Sequence, residues 1–514
     1  MKLKNIFNTM SVAAVALLAT ACNDTDAQYS IPDVAAPQLV DVSTELKPAF
    51  FGETTFKVKF NQKVNFATKD AQLVTVNGSP ADKALVLGAD SALTVTSTLG
   101  FCKSVTVRIP AGLITNAQGK AYNEPIEATF NVKPMPSNNA TAVTQMLGWG
   151  WNLGNHFDTS AEAIKSGWGY WDGVDIIGTA PFQQLASAGA KTVRMPVTWE
   201  GHMDDAGVIS ADFLDELAGA VDKALAAGLN VILNTHHDSF ETTLGDAAAN
   251  PEEAYKDSVL ITGIWTQVAN RFASYGEKLI FETFNEVHTG DDWSATNTSQ
   301  AAFNLLNEWN QYAVNAIRQT GGNNATRWIG VAGYAANIDL TLAHFKMPQD
   351  PANRLIVAVH CYDPYNFCLA PSTSGVDSWG HNANPSTSVS GANEDYIVNQ
   401  LYKLREAFIE NNIPCYLGEY GCVWMDTENA NAFRAYYLEF FCRAANYAGI
   451  PMFVWDNNAK GSGDEANGYI DHADGSWLND SESMVPTMIR ACTSTDDSYW
   501  FDTIWNKSPV YTGK

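Results

Sequence analysis

The stretch Asp212–Asn234, DFLDELAGAVDKALAAGLNVILN, decides the fold. Phe213, Leu214, Leu217, Val221 and Leu225 recur at helical spacing and make one apolar face. Gly228 stops that helix, and a short apolar strand ending at Asn234 follows at once. A helix passing directly into a buried strand is half of a parallel α/β repeat, and the rhythm recurs on both sides. Upstream, Phe182–Ala188 leads through Gly189 into Thr192–Pro196. Downstream, Tyr396–Glu410 leads into Cys415–Glu419, and Ala432–Ala448 through Gly449 into Met452–Trp455.

Read this way, the chain carries eight buried strands: Trp149–Leu153, Thr192–Met195, Val231–Asn234, Leu279–Phe284, Trp328–Val331, Leu355–Val359, Cys415–Glu419 and Met452–Trp455. Alternating with helices over residues 148–505, they predict a closed (β/α)₈ barrel. An open doubly wound sheet is disfavoured because no Gly-x-Gly-x-x-Gly follows the first strand.

Residues 36–134 read differently. Thr55–Phe60, Gln72–Val76, Ala92–Thr96, Ser104–Ile109 and Ala128–Val132 are short strands parted by Gly, Asn, Asp and Pro turns, which predicts a β-sandwich. The run Val107–Ile114, with Asn116–Gly119, resembles the Ig-like spacer domains of bacterial surface proteins. None of the 15 Trp and none of the nine His precedes residue 149, so a spacer is expected here rather than a sugar-binding module. Pro134–Asn139 reads as the linker.

The first 21 residues form an export signal, with Lys2 and Lys4 ahead of an apolar stretch from Val12 to Ala19. Ala19-Thr20-Ala21-Cys22 resembles a lipoprotein box, so Cys22 is expected to carry lipid and tether the chain to the bacterial cell envelope, at the outer membrane or cell surface. A plain secreted protein cut near Ala21 is the alternative. The eight cysteines, less Cys22, leave an odd number, and sequence alone does not pair them.

A formal charge of −25 with no basic run argues against nucleic acid. Aromatic residues at 11% suit a neutral, many-hydroxyl ligand with apolar ring faces. In a barrel the chemistry sits at the carboxyl ends of the strands. There the sequence places Asn155, Arg194, His236, His237, Asn285, Glu286, His360, Tyr362, Glu419 and Trp455. Glu286 follows the fourth strand and Glu419 ends the seventh, across the mouth from one another. Glycoside hydrolysis needs such a pair. Trp168, Trp171, Trp199, Trp293, Trp424 and Trp477 fall near loops and are candidates for sugar stacking, each with core packing as the equal alternative.

Seven motifs occur in order: Gly150–Asn155, Val193–Trp199, Asn234–Asp238, Phe284–Glu286, Val359–Tyr362, Leu417–Gly421 and Val454–Asn457. With them, residues 148–505 resemble the catalytic domain of glycoside hydrolase family 5. His360–Phe367 and Trp455–Asn457 are most similar to its subfamily 4 endoglucanases and xyloglucanases. The resemblance implies a retaining endo-β-1,4-glucanase with Glu286 as acid/base and Glu419 as nucleophile. It implies that Arg194 and Tyr362 hold Glu419, that His360 tunes Glu286, and that Asn285 meets the sugar 2-hydroxyl. His236 would contact another hydroxyl and Trp455 would floor its subsite; His237, Asn155 and Asn457 are further binding candidates. Val287 stands where the family often has Pro, and Tyr420 where Phe is frequent.

No cofactor and no metal are expected. The adjacent His236 and His237 are expected to point to opposite faces of a strand and so not to share an ion. A monomer acting on β-1,4-linked plant cell-wall polysaccharide is expected, touching a membrane only through its lipid. Xyloglucan, mannan and xylan remain as alternative substrates. A non-catalytic glycan-binding lipoprotein is the rival of a different class.

Overall fold

The computed structural model describes residues 32–512, apart from 69, 84 and 89–91. The expected export signal and Cys22 lie outside the described residues. Among the described residues no helix is long and apolar enough to cross a membrane.

Two four-stranded antiparallel sheets come first. One contains Leu39–Thr44, Phe50–Phe60, Ala92–Cys102 and Val86–Leu87; the other contains Ile126–Asn131, Ser104–Ile109, Thr75–Val76 and Ser79–Pro80. Alternation makes them amphipathic. Phe56, Val58 and Phe60 point inward from one long strand while Lys57 and Lys59 face water. Val74, Leu93, Val95, Val105, Val107 and Ile109 complete a core with no exposure. The strand expected over Gln72–Val76 is cut short. The Asp70 carboxylate accepts the Gln72 N–H at 3.0 Å and caps a turn over Ala71–Leu73, leaving Thr75–Val76 to pair.

Asn139–Leu147, within and beyond the expected linker, is a helix whose start is fixed by reciprocal bonds between Asn138 and Thr141. Val143 and Leu147 from this helix pack with Ile232, Ile280, Ile356, Tyr416 and Phe453, closing the barrel's floor.

The eight barrel strands are β1 (Trp149–Asn152), β2 (Thr192–Met195), β3 (Asn230–Asn234), β4 (Leu279–Glu282), β5 (Ile329–Asn337), β6 (Leu355–His360), β7 (Cys415–Tyr420) and β8 (Met452–Val454). Each pairs in parallel with the next, and β8 pairs with β1, so the barrel is closed. It is wrapped by amphipathic helices such as Ala211–Ala226, Gln300–Gln319 and Glu428–Ala448.

The sheets are joined to the barrel by a tight seam. Phe101 inserts among Phe440, Phe501 and Trp505, with ring centroids 5.1–5.6 Å away. Arg405 donates to the carbonyls of Lys133, Pro134 and Tyr447. The seven described cysteines are all free thiols.

Candidate active site

Closing the barrel turns the ends of β2, β4, β6 and β7 toward one another. Arg194, on β2, is wholly buried and uses its whole guanidinium. Nη1 donates to Glu419 Oε1 at 2.7 Å and to Asn152 Oδ1 at 2.9 Å. Nε and Nη2 grip Glu282, the shortest contact being 2.7 Å, and Nη2 also reaches Asn285 Oδ1 at 2.9 Å. Tyr416 donates to the far oxygen of Glu282 at 2.5 Å. One cation therefore serves two buried carboxylates. Gly418 permits this closeness: a Cβ there would lie 2.9 Å from His360 Nε2 and 3.5 Å from Arg194 Nε.

Glu419 also accepts from the Tyr362 hydroxyl at 2.9 Å. Burial acts to raise its pKa, but nearby His360, Arg194 and the Tyr362 hydrogen bond outweigh that and hold it below the ordinary 4.5. Glu286 lies 2.6 Å from His360 Nδ1, which is 3.8 Å from Glu419. Burial pushes Glu286 up, and the charges of Glu419 and Glu241 add to this against the opposing pull of His360. One oxygen from each glutamate and a His360 nitrogen all lie within 4.8 Å of one another. The two carboxyls thus sit close together with their proton affinities driven apart.

Beside this cluster, the Trp455 ring lies parallel to His236, centroids 5.8 Å apart. His237 Nδ1 donates to Glu241 Oε2 at 2.8 Å. Burial works to lower the His237 pKa, but the Glu241 and Asp158 carboxylates raise it to about 9. The opposite-faces argument for His236 and His237 does not hold. Both follow β3 rather than lie in it, and their rings meet at 4.4 Å. Together with Asp158 they form a cluster of potential ligand atoms within 4.8 Å. Its donor chemistry nevertheless suits hydroxyls better than a cation. Asn234 accepts from the Val197 N–H, so its amide nitrogen faces His236 Nδ1 and leaves the proton on Nε2.

Other candidates fall elsewhere. Trp199 is fully buried and donates to the Asn234 carbonyl, so it is core rather than a sugar platform. Asn457 spends both ends of its amide on the Glu465 carbonyl and the Asn467 N–H, holding its own loop. Asn155 takes a left-handed backbone (φ 60°) and donates its N–H to Asp158. Trp168, Trp171 and Trp293 are exposed, the last stacked on His288 at 3.8 Å. Trp424 packs over the Arg434 guanidinium, and Trp477 packs against the core. Tyr420 is buried and accepts from Trp149 Nε1 at 2.7 Å. Val287 is buried too.

Sequence reasoning assigned no role to Glu282, Glu241 or Asp158. Glu282 and Asp158 are fully buried and Glu241 nearly so. A carboxylate in the middle of an apolar strand, as in Leu279–Phe284, was the available signal for the first.

Comparison with known proteins accords with this geometry. Residues 154–461 match the model of the family described as cellulase, glycosyl hydrolase family 5. Endoglucanase 1 of Ruminococcus albus is 32% identical over 70% of this chain and 84% of its own length. Endoglucanase A of Clostridium longisporum is 30% identical over 68% of this chain, but the match spans only 65% of that longer protein. The solved structure of a family 5 subfamily 4 broad-specificity endoglucanase from Bacteroides salanitronis superposes with a TM-score of 0.65 at 38% identity, covering 70% of this chain and 97% of that one. The matched span runs from just after β1 to beyond β8 and takes in both glutamates, so the chain belongs to glycosyl hydrolase family 5, the cellulase family.

Proposed function

We propose that this chain is a retaining endo-β-1,4-glucanase that cleaves internal bonds of plant cell-wall glucans by double displacement. The observation that carries the reading is the closeness of the two carboxyls, one oxygen of Glu286 and one of Glu419 lying within 4.8 Å of each other. Retaining enzymes hold their carboxyls ~5–5.5 Å apart, whereas inverting enzymes need ~6.5–9.5 Å to seat a water between them.

In the first step Glu419, kept ionised by Arg194 and Tyr362, attacks the anomeric carbon while Glu286 gives its proton to the departing oxygen. A covalent glycosyl-enzyme results. Esterification removes the Glu419 charge that helped hold the proton on Glu286, so Glu286 becomes the base that activates water in the second step. His236 Nε2–H and Trp455 supply a hydroxyl contact and a stacking face. The exposed Trp168, Trp171 and Trp293 support binding of a chain that runs past the catalytic pair, as internal cleavage requires.

This reading extends to the cell envelope. The two N-terminal sheets would serve as an Ig-like spacer, and Cys22 as the lipidated residue that displays a monomeric enzyme at the surface.

The test is release of reducing ends from carboxymethylcellulose and from xyloglucan at equal mass, by wild type beside Glu419→Ala. Wild-type release that the substitution abolishes supports the reading, and the ratio between polymers separates a general endoglucanase from a xyloglucanase. No release from either polymer sinks the substrate assignment and reopens mannan, xylan and binding alone.

A pH profile follows from the same pair. Activity requires ionised Glu419 and protonated Glu286. It should therefore fall as pH drops through the Glu419 pKa, which lies below 4.5, and as pH rises through that of Glu286, which lies above 4.5. A bell in kcat/KM is expected, its two limbs belonging to the coupled pair. A profile flat through the upper limb would remove Glu286 from the acid role.

A further inference from the structure

We propose that Glu241 is a positioning residue that fixes which edge of the Asn285 amide meets the sugar and ties that amide to His237; this rests on the retaining-glucanase reading above. Glu241 lies in the turn Ser239–Glu241 after β3, and 6% of it is exposed. Its Oε1 accepts from Asn285 Nδ2 at 3.0 Å, and its Oε2 bonds His237 Nδ1 at 2.8 Å. Its main chain is anchored as well, its carbonyl accepting the His288 N–H at 2.7 Å and its N–H donating to the Asp238 carbonyl at 2.9 Å.

The consequence is a matter of counting donors. An Asn amide has one carbonyl oxygen and two N–H groups, and it can be turned end for end at little cost in shape. Here Arg194 Nη2 takes the oxygen and Glu241 takes one N–H. The second N–H is left as the one donor of that group for a sugar hydroxyl. Were Glu241 lost, Arg194 alone would orient Asn285, and its amide could swing about that single contact. A continuous chain of bonds thus runs from Glu419 through Arg194, Asn285 and Glu241 to His237. The nucleophile and the hydroxyl-binding groups share one frame.

Substitutions separate this role from simple packing. Glu241→Met keeps the length of the side chain and removes both acceptors. Glu241→Gln keeps one: without the carboxylate beside it the His237 ring can release its extra proton and accept from the new amide nitrogen, leaving the new oxygen for Asn285. The measurement is kcat/KM on an aryl β-cellobioside and on its counterpart lacking the 2-hydroxyl at the cleaved ring, for wild type, Glu241→Met, Glu241→Gln and Asn285→Ala. Asn285→Ala defines the ratio between the two substrates when the contact is missing.

Expected is a loss of roughly ten- to a hundredfold for Glu241→Met on the normal substrate, below the ~10²–10³-fold cost of deleting a transition-state donor outright. On the 2-deoxy substrate the loss should shrink to about threefold or less, so the ratio moves toward that of Asn285→Ala. Glu241→Gln should keep the wild-type ratio. The Glu241 charge adds to that of Glu419 in raising the Glu286 pKa against the pull of His360, so losing it should move the upper limb of the pH profile downward. Equal losses on both substrates in Glu241→Met would overturn the proposal. Should that variant not fold, a changed ratio in Glu241→Gln overturns it instead. Failure of wild type on both substrates would fault the functional reading rather than the role of Glu241.

Discussion

Replacing Glu419 by Ala should lower kcat by about 10⁴–10⁶-fold, the range seen when a covalent nucleophile is removed from a site that otherwise still binds. The fold should survive the change. Arg194 keeps Glu282 as a partner at 2.7 Å, and Tyr362 loses a single acceptor, so no buried charge is stranded. The void left behind is the size of a small anion and borders Arg194. Azide at high concentration should enter it, attack the face the carboxylate vacated and restore turnover of an activated aryl glycoside. The product should be the glycosyl azide of inverted, α configuration, because one displacement has replaced two. A β-configured azide, or a loss of only tenfold, would show that Glu419 is not the nucleophile.

The second large effect is expected at Arg194. Arg194→Met conserves length and removes the cation that hydrogen-bonds both Glu282 and Glu419. Removing one member of a buried ionic set costs about 3–5 kcal/mol. At about 2–4 °C per kcal/mol for a domain of 150–250 residues, that is roughly a 10 °C fall in Tm, somewhat less if the larger barrel melts as one unit. The deficit should grow with pH, because Arg194 is one of the charges that hold the buried Glu419 ionised. Activity should fall by roughly 10²–10³-fold as well, with the lower pH limb moving up because Glu419 has lost a charge that favours ionisation. Differential scanning calorimetry across pH, beside kcat/KM profiles, checks both parts. An unchanged Tm with a large kinetic loss would confine Arg194 to catalysis and discard its structural role.

Much of this arrangement was legible in the sequence because a barrel converts order along the chain into position around a ring. Each helix-to-strand step marks one stave, and polar residues at the strand ends must then share one face. That logic reaches Arg194, Asn285, Glu286, His360, Tyr362 and Glu419 without knowledge of any distance. It does not reach side chains whose meaning depends on facing across the interior. Glu282 sits inside an apolar run, and its partner Arg194 is two staves away. Glu241 looks like one acid in a polar loop until the turn after β3 is built. Trp199 and Asn457 mislead for the same reason: exposure is a property of packing, and nothing local distinguishes an indole over a cleft from one beneath it. The Asn139–Leu147 helix was hidden by the Pro and Asn residues before it, which read as linker although Asn138 is its cap.

The insertion of Phe101 into the barrel's outer helices bears on how such a protein can be inherited and rebuilt. A recombination breakpoint between residues 134 and 138 would look harmless in the sequence. Yet it would expose Phe440, Phe501 and Trp505 to water and leave Arg405 facing carbonyls that had gone. The sheets and the barrel are therefore poor cassettes for exchange. A shuffled neighbour would have to bring an aromatic wedge of its own, and a laboratory truncation to the barrel alone should lose solubility as those rings are uncovered.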